Sequence, residues 1–370
     1  MPRRWQHPGG MPTTRLRVDQ TLGFAAVQGP KVLPGTIALV VFGWLPMMLL
    51  AAQHAYAEGA WPDVVVAFET HARYLLVGPV ILLTHRTLHE RIVRCVDEFV
   101  SAAFIRESEV ERYREIAARL HRIGTSPTSA AGCFTVALAT VAANPVNGTD
   151  AASLWQASVG LTLFRFVLLV LVWRWAVWAI FLARVARFDL ALVAAHPDGC
   201  GGLGFLSQPS EAFSGAAFAM GALVASACAT SVLRDGISFL TYKKEVAVFA
   251  LLFTMLGILP LTPFTGRLYR LRLRAIREYG AFARDYVARF EAKWVHLPPG
   301  KARRDPLGSP DLQSLADLSN SFDIVVRSRP FVAGPRLAGM LALSALLPIA
   351  PLFATVMPVD EMLPRLMRLM

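Results

Sequence analysis

Residues 196–204, "HPDGCGGLG", place His196, Asp198 and Cys200 at two-residue spacing among four glycines, Gly199, Gly201, Gly202 and Gly204. Two chemistries use residues of these types. Gly199, Gly201 and Gly204 spell G-x-G-x-x-G, the spacing at which backbone amides cradle a dinucleotide pyrophosphate. Imidazole, carboxylate and thiol are also common zinc donors. The dinucleotide site needs a strand before the glycines, a helix after them and an acidic residue about 20 positions on. Here Glu211 is too near and Asp235 too far, and the flanks are the ends of two apolar helical segments. Three scattered donor types do not make a zinc set, and Cys95, Cys133, Cys200 and Cys228 include no C-x-x-C pair. No metal or cofactor is expected. The remaining role is geometric: Pro197 ends a helix, and the glycines give positive φ or close backbone approach at a membrane edge. Asp198 then caps a turn, with His196 exposed.

A second group of chemical residues lies within apolar sequence: Glu69, His71, Arg73 and Arg165. An ionisable side chain at membrane depth is a functional candidate wherever a partner can be named, and such a cluster could line a transport pathway. Arg165 falls about 4–5 Å from the middle of its apolar segment at the helical rise. Glu69 can pair with it between helices, or with Arg73 four residues on along its own helix; both pairings stay open. Arg174 lies nearer the inner face beside Trp173, Trp175 and Trp178, an arrangement that reads as an interfacial belt with a snorkelling arginine.

The elements that must position these groups are membrane helices. Hydrophobic residues make up 55% of the 370 without counting glycine, above the range of soluble domains. Seven segments approach the roughly 20 apolar residues a span needs: 32–52, 66–84, 129–146, 154–183, 213–233, 246–266 and 337–357. With the N-terminus inside, the cytoplasmic pieces are 1–31, 85–128, 184–212 and 267–336. They hold 29 of the 37 Lys and Arg residues, the asymmetry expected of an inner-membrane protein with its C-terminus outside. The A-x-A match at 55–57 reads as part of an uncleaved anchor, because the preceding apolar run is longer than a signal peptide's. The N-G-T at 147–149 is a sequon without meaning in a bacterium. An arginine-rich, lysine-poor composition suggests such a source.

The expected fold is an all-helical polytopic membrane protein with long amphipathic cytoplasmic helices. Its parts are a basic tail (1–31), a membrane domain (32–266), a cytoplasmic helical region (267–336) and a last span with a short outer tail (337–370). Within the membrane domain, an apolar stripe from Leu88 through Val96, Tyr113 and Leu120 to Ile123 predicts an amphipathic helix over 88–123. A second stripe runs from Leu268 through Ala275, Phe282 and Tyr286 to Trp294, with arginines largely off it. A third helix should begin at Ser309, with Pro310 and Asp311 completing an N-terminal signature. These stripes are expected to pack on one another, and a surface for a partner or anionic headgroups is the alternative. The small-residue row Ala217, Gly221, Ala225 and Ala229 predicts a close helix crossing.

The segments "RFDLALVAAHPDGCGGLGFL" and "LGSPDLQSLADLSNSFDIV" resemble a family of bacterial multi-pass integral membrane proteins, through motifs of the type HPD-x-x-GGLGFL and LG-x-x-D-[IL]-QSLADL. "ETHARYLLVGPVIL" and "EYGAFARDYVARFEAKWV" are similar to the corresponding family segments, so the resemblance covers most of the chain from Glu69 onward. It implies a shared helical membrane fold and brings no activity, cofactor or catalytic residue. In that motif Cys200 occupies a variable position, which argues further against a metal.

Motifs for metalloprotease, serine hydrolase and P-loop chemistry are absent. The reading therefore leans away from an enzyme and toward a regulator or scaffold whose cytoplasmic helices engage a protein partner or anionic lipid. A channel or transporter using the Glu69, His71 and Arg165 cluster is the alternative. The basic charge belongs to membrane orientation and headgroups, and no nucleic-acid partner is expected.

Overall fold

A computed structural model describes residues 32–58, 68–143, 150–296 and 309–355, and every regular element within them is a helix. The basic N-terminal tail, the sequon and the C-terminal tail lie outside the described residues. In chain order the helices are α1 (32–58), α2 (68–101), α3 (Val110–Thr125), α4 (Pro127–Ala143) and α5 (Ala151–Val185). They continue with α6 (Ser207–Arg234), α7 (Lys243–Ile258), α8 (Thr265–Trp294), α9 (Pro310–Arg327) and α10 (Pro335–Leu346).

Among the described residues, five helical stretches are long and apolar enough to cross a membrane: Val32–Ala57, Ala151–Val185, Leu203–Arg234, Phe239–Trp294 and Pro335–Phe353. A sixth is added if α3 and α4, which meet at 41°, count as one broken span. The seven expected segments differ from this set at 66–84 and 129–146. The first lies in α2, which carries Glu69, His71 and Arg73 at its head, and charged residues through its later turns. The second is α4, only 17 residues long.

The expected amphipathic helix over 88–123 is two helices. α2 ends at Ser101, and Ala103 adopts a positive φ of 55° before the chain enters α3. Phe104 and Ile105 turn into the core at this break, although the apolar stripe keeps its helical period across it. Both halves of the stripe are absorbed by the main core: the Tyr113 hydroxyl donates to the Val96 carbonyl at 2.7 Å, and its ring meets Phe99, Phe181 and Phe188.

α6 is the central helix, with α2 and α10 packed along it. Apolar burial gives helices little reason to associate within lipid, so close packing must do so. Ala217, Gly221 and Ala225 are buried on α6, and at Gly221 the α10 backbone comes so close that an added Cβ would run into the Ala345 carbonyl oxygen. The predicted small-residue face is therefore a crossing point.

The tryptophans near Arg174 do not form a belt. Only Trp173 is well exposed; Trp175 stacks on Phe213 at 4.4 Å and Trp178 on Phe181 at 5.5 Å, both buried. Trp175 and Trp178 stand three residues apart and so share the inward face of α5.

Pro260 and Pro263 tighten residues Leu259–Phe264 into a 3₁₀ segment without ending the helix. Phe239–Trp294 continues as one 56-residue stretch, so the expected boundary at 266 falls inside a helix. α8 pairs with α9 in a hairpin that buries little: Leu268 and Ala275 on one leg and Val325 on the other. Phe282 is exposed, although it belongs to the second predicted stripe. Ser309 caps α9 as expected, accepting from the Asp311 N–H at 3.2 Å. Asp311 then ties the legs together, accepting from Lys293 and from the Trp294 indole N–H.

Candidate functional site

The glycine run is a loop folded around one carboxylate. Asp198 Oδ1 accepts the backbone N–H of Cys200 at 2.9 Å and of Gly202 at 3.1 Å, and Oδ2 accepts that of Gly204 at 2.8 Å. Gly199, Gly201 and Gly202 take positive φ values of 66°, 70° and 94° to aim those amides inward. At Gly202 a Cβ would also sit 2.8 Å from the Phe104 ring, so the α2–α3 turn can dock there only against a glycine. The donors that would hold a phosphate are thus occupied by the loop's own anion. Burial alone would raise the Asp198 pKa, but the three amides and the Cys200 thiol together hold it below the usual carboxylate range.

His196, Asp198 and Cys200 do come together. His196 Nδ1 lies 2.9 Å from Asp198 Oδ1, and the Cys200 thiol donates to Oδ2 at 3.3 Å. Burial, with the neighbouring carboxylate, pushes the thiol pKa up to about 12, so it is a protonated donor rather than a thiolate ligand. Among the described residues no group of three or more metal-ligating side chains has the geometry to hold an ion. The loop also anchors its surroundings: the Gly199 carbonyl accepts from the Arg329 N–H at 2.7 Å.

The group of Glu69, His71, Arg73 and Arg165 is organised by three π-helical segments, Leu39–Trp44, Ala72–Val77 and Gln156–Gly160. The fully buried Tyr74 ring fills the space left by Gly43 and Gly160, one from each neighbouring helix. Around it, Trp44 donates to His71 Nδ1 at 3.1 Å, and Arg73 stands 5.8 Å from the Phe164 ring. Glu69 pairs with Arg73 on its own helix. Arg165 has no carboxylate within ion-pair distance among the described residues, and its Nη1 is buried without a hydrogen-bond partner. The Tyr74 hydroxyl lies toward Arg73 without reaching hydrogen-bond geometry. A double-mutant cycle on Glu69→Gln and Arg73→Leu is expected to give a coupling of about 0.5–1 kcal/mol, with Glu69→Gln and Arg165→Leu additive. Coupling to Arg165 instead would restore the interhelix pair.

A third polar group was not singled out in the sequence. His89 on α2, His121 on α3 and Arg174 on α5 line a cavity of about 70 Å³ whose remaining wall is mostly apolar, including Leu88, Ile92, Leu120 and Phe181. His85, one turn before His89, is buried, and its Nε2 has no hydrogen-bond partner among the described residues. The H-x-x-x-H spacing at 85–89 was the available signal, since residues four apart share a helix face. That His121 and Arg174 face the same space depends on how three helices rotate, which the sequence does not encode locally.

No protein-family model matches the chain, and neither does any curated protein or solved structure. The resemblance read in residues 69–82, 187–206, 278–295 and 307–325 therefore has no support from these comparisons.

Proposed function

We propose that the chain is a seven-span integral protein of a bacterial inner membrane, N-terminus cytoplasmic and C-terminus outside. It acts there as a non-enzymatic scaffold or regulator, and its α8–α9 hairpin docks a protein partner. The supporting observation is a second seam on α8. Tyr269, Leu273, Ile276, Gly280, Ala283 and Val287 alternate at four- and three-residue steps, the spacing of a coiled-coil interface. Tyr269 is 50% exposed, Leu273 40% and Val287 37%, so the seam is open towards its ends, while Gly280 at its centre faces Phe322 of α9. Arg270, Arg277 and Arg284 stand at the three flanking positions on one side of it, and none has an ion pair among the described residues.

The fitting partner is an amphipathic helix with acidic residues beside its apolar seam. A second copy of α8 fits poorly, because it meets arginine with arginine, or with Arg272, Tyr279 and Tyr286. Lipid headgroups suit the outer arginines less well. Arg284 lies about 28 Å along α8 from its start, and surface charge is screened within about 10 Å.

The test is binding of two designed helical peptides to the full chain in nanodiscs, with leucine and isoleucine in the seam and either glutamate or lysine flanking it. The glutamate peptide is expected to bind at least about tenfold more tightly, and R270E/R277E/R284E to reverse the preference. Equal binding, or none, overturns the docking role.

A channel or transporter is the second reading, favoured by the three π segments meeting around Arg73, Tyr74 and Arg165. Ion flux in proteoliposomes that Arg165→Leu abolishes would establish it over the scaffold.

A further inference from the structure

The cavity between α2, α3 and α5 holds a charge without a counter-ion. Arg174 sits on a helix apolar enough to cross a membrane, and its Nε is buried with no hydrogen-bond partner among the described residues. None of the ion pairs among those residues involves it. Trp178, only 3% exposed, lines the same cavity, and its indole N–H is likewise buried with no acceptor. Two buried donors without acceptors call for an anion, because an uncompensated buried cation and an unmade hydrogen bond are both costly. Apart from His89, His121 and Thr125 the remaining wall is hydrocarbon and aromatic, so the anion must bring an apolar tail.

We propose that this cavity is a binding site for an anionic phospholipid of the surrounding bilayer. Its phosphate is held by the Arg174 guanidinium and the Trp178 indole N–H, with the His89 and His121 imidazoles on the same wall. A space of about 70 Å³ takes the first few methylenes of one chain, and the rest of the lipid lies along the helices. A zwitterionic lipid offers the same phosphate but brings its own cation, which Arg174 repels. The site therefore selects for net negative charge, and unlike a merely snorkelling arginine it does so only while the cavity is open.

The test uses the full chain in phosphatidylcholine nanodiscs containing a small fraction of lipid brominated near the top of its chains. Bromine quenches nearby tryptophans. Brominated phosphatidylglycerol is expected to quench more than the same fraction of brominated phosphatidylcholine, and Trp178→Phe to remove the excess. Arg174→Leu is expected to weaken the apparent affinity for phosphatidylglycerol about tenfold, the loss of one or two charge-assisted hydrogen bonds. Gly124→Leu, which fills the cavity from α3 and leaves Arg174 in place, should abolish the preference and decides the matter if Arg174→Leu does not fold. Equal quenching by the two lipids, or an excess that survives Trp178→Phe or a filled cavity, overturns the site.

Discussion

Gly221→Ala is expected to lower stability by about 3 kcal/mol, although it adds one methyl group and improves helix propensity. The added carbon has nowhere to go. Its neighbour across the crossing is the Ala345 carbonyl, a backbone atom that no rotamer change can remove. α6 and α10 must separate, and because α2 packs on the same helix the strain spreads through the centre of the bundle. Within lipid no hydrophobic gain offsets the lost contact. Gly339→Ala on α10 is the control, since nothing lies within 4 Å of a Cβ there. Denaturant titration in mixed micelles would compare the two. Equal stabilities would mean that the crossing is looser than described.

Asp198→Asn is the second large effect, also about 3 kcal/mol, because one oxygen that accepts backbone N–H groups becomes an amide donor pointed at them. The loop backbone was bent through three positive φ values to reach that carboxylate. Its loss should also free the Arg329 contact at the hairpin base. The substitution carries a pH signature as well. The folded-state pKa of Asp198 lies below its ordinary value, so the unfolded chain binds the proton more readily. Its contribution is fully present above about pH 4 and disappears as pH falls through the lowered folded value. The wild type should therefore lose stability on acidification faster than Asp198→Asn. Parallel curves would show that the amides do not depend on the charge.

What could be read in advance followed chemistry carried by neighbouring residues. The apolar runs marked most of the long helices. Ser309, Pro310 and Asp311 marked the start of α9, and the glycines around Asp198 marked a turn rather than a phosphate site. The failures share a cause: each needed the rotation of one helix against another. Glu69 had two partners at equal sequence plausibility, and Arg73 holds it. Trp175 and Trp178 have the composition of an interfacial belt, yet their shared face points inward. The π segments change no residue type, so composition is silent about them, although Gly43 and Gly160 stand where Tyr74 needs room. The Arg174 cavity draws on three helices, and only His89, through its H-x-x-x-H spacing from His85, carried a local signal. The break at Ala103 was not legible, because the seven-residue step from Ala103 to Val110 spans two turns and keeps the stripe in period.

The Asp198 loop acquires a mechanical meaning from what rests on it. Gly201 faces Leu268 and Leu271 at the root of α8, where an added Cβ would lie 3.3 and 3.2 Å from their side chains, and Gly199 holds Arg329 just past the end of α9. Both legs of the hairpin are therefore pinned at one fulcrum. The 30 residues of α8 make a lever arm of about 45 Å. A sideways pull of about 5 Å at Trp294 turns the root by about 6°, and glycines packed this tightly absorb little of that turn. A partner pulling on the far end of the hairpin would move leucines that touch the folded heart of the protein.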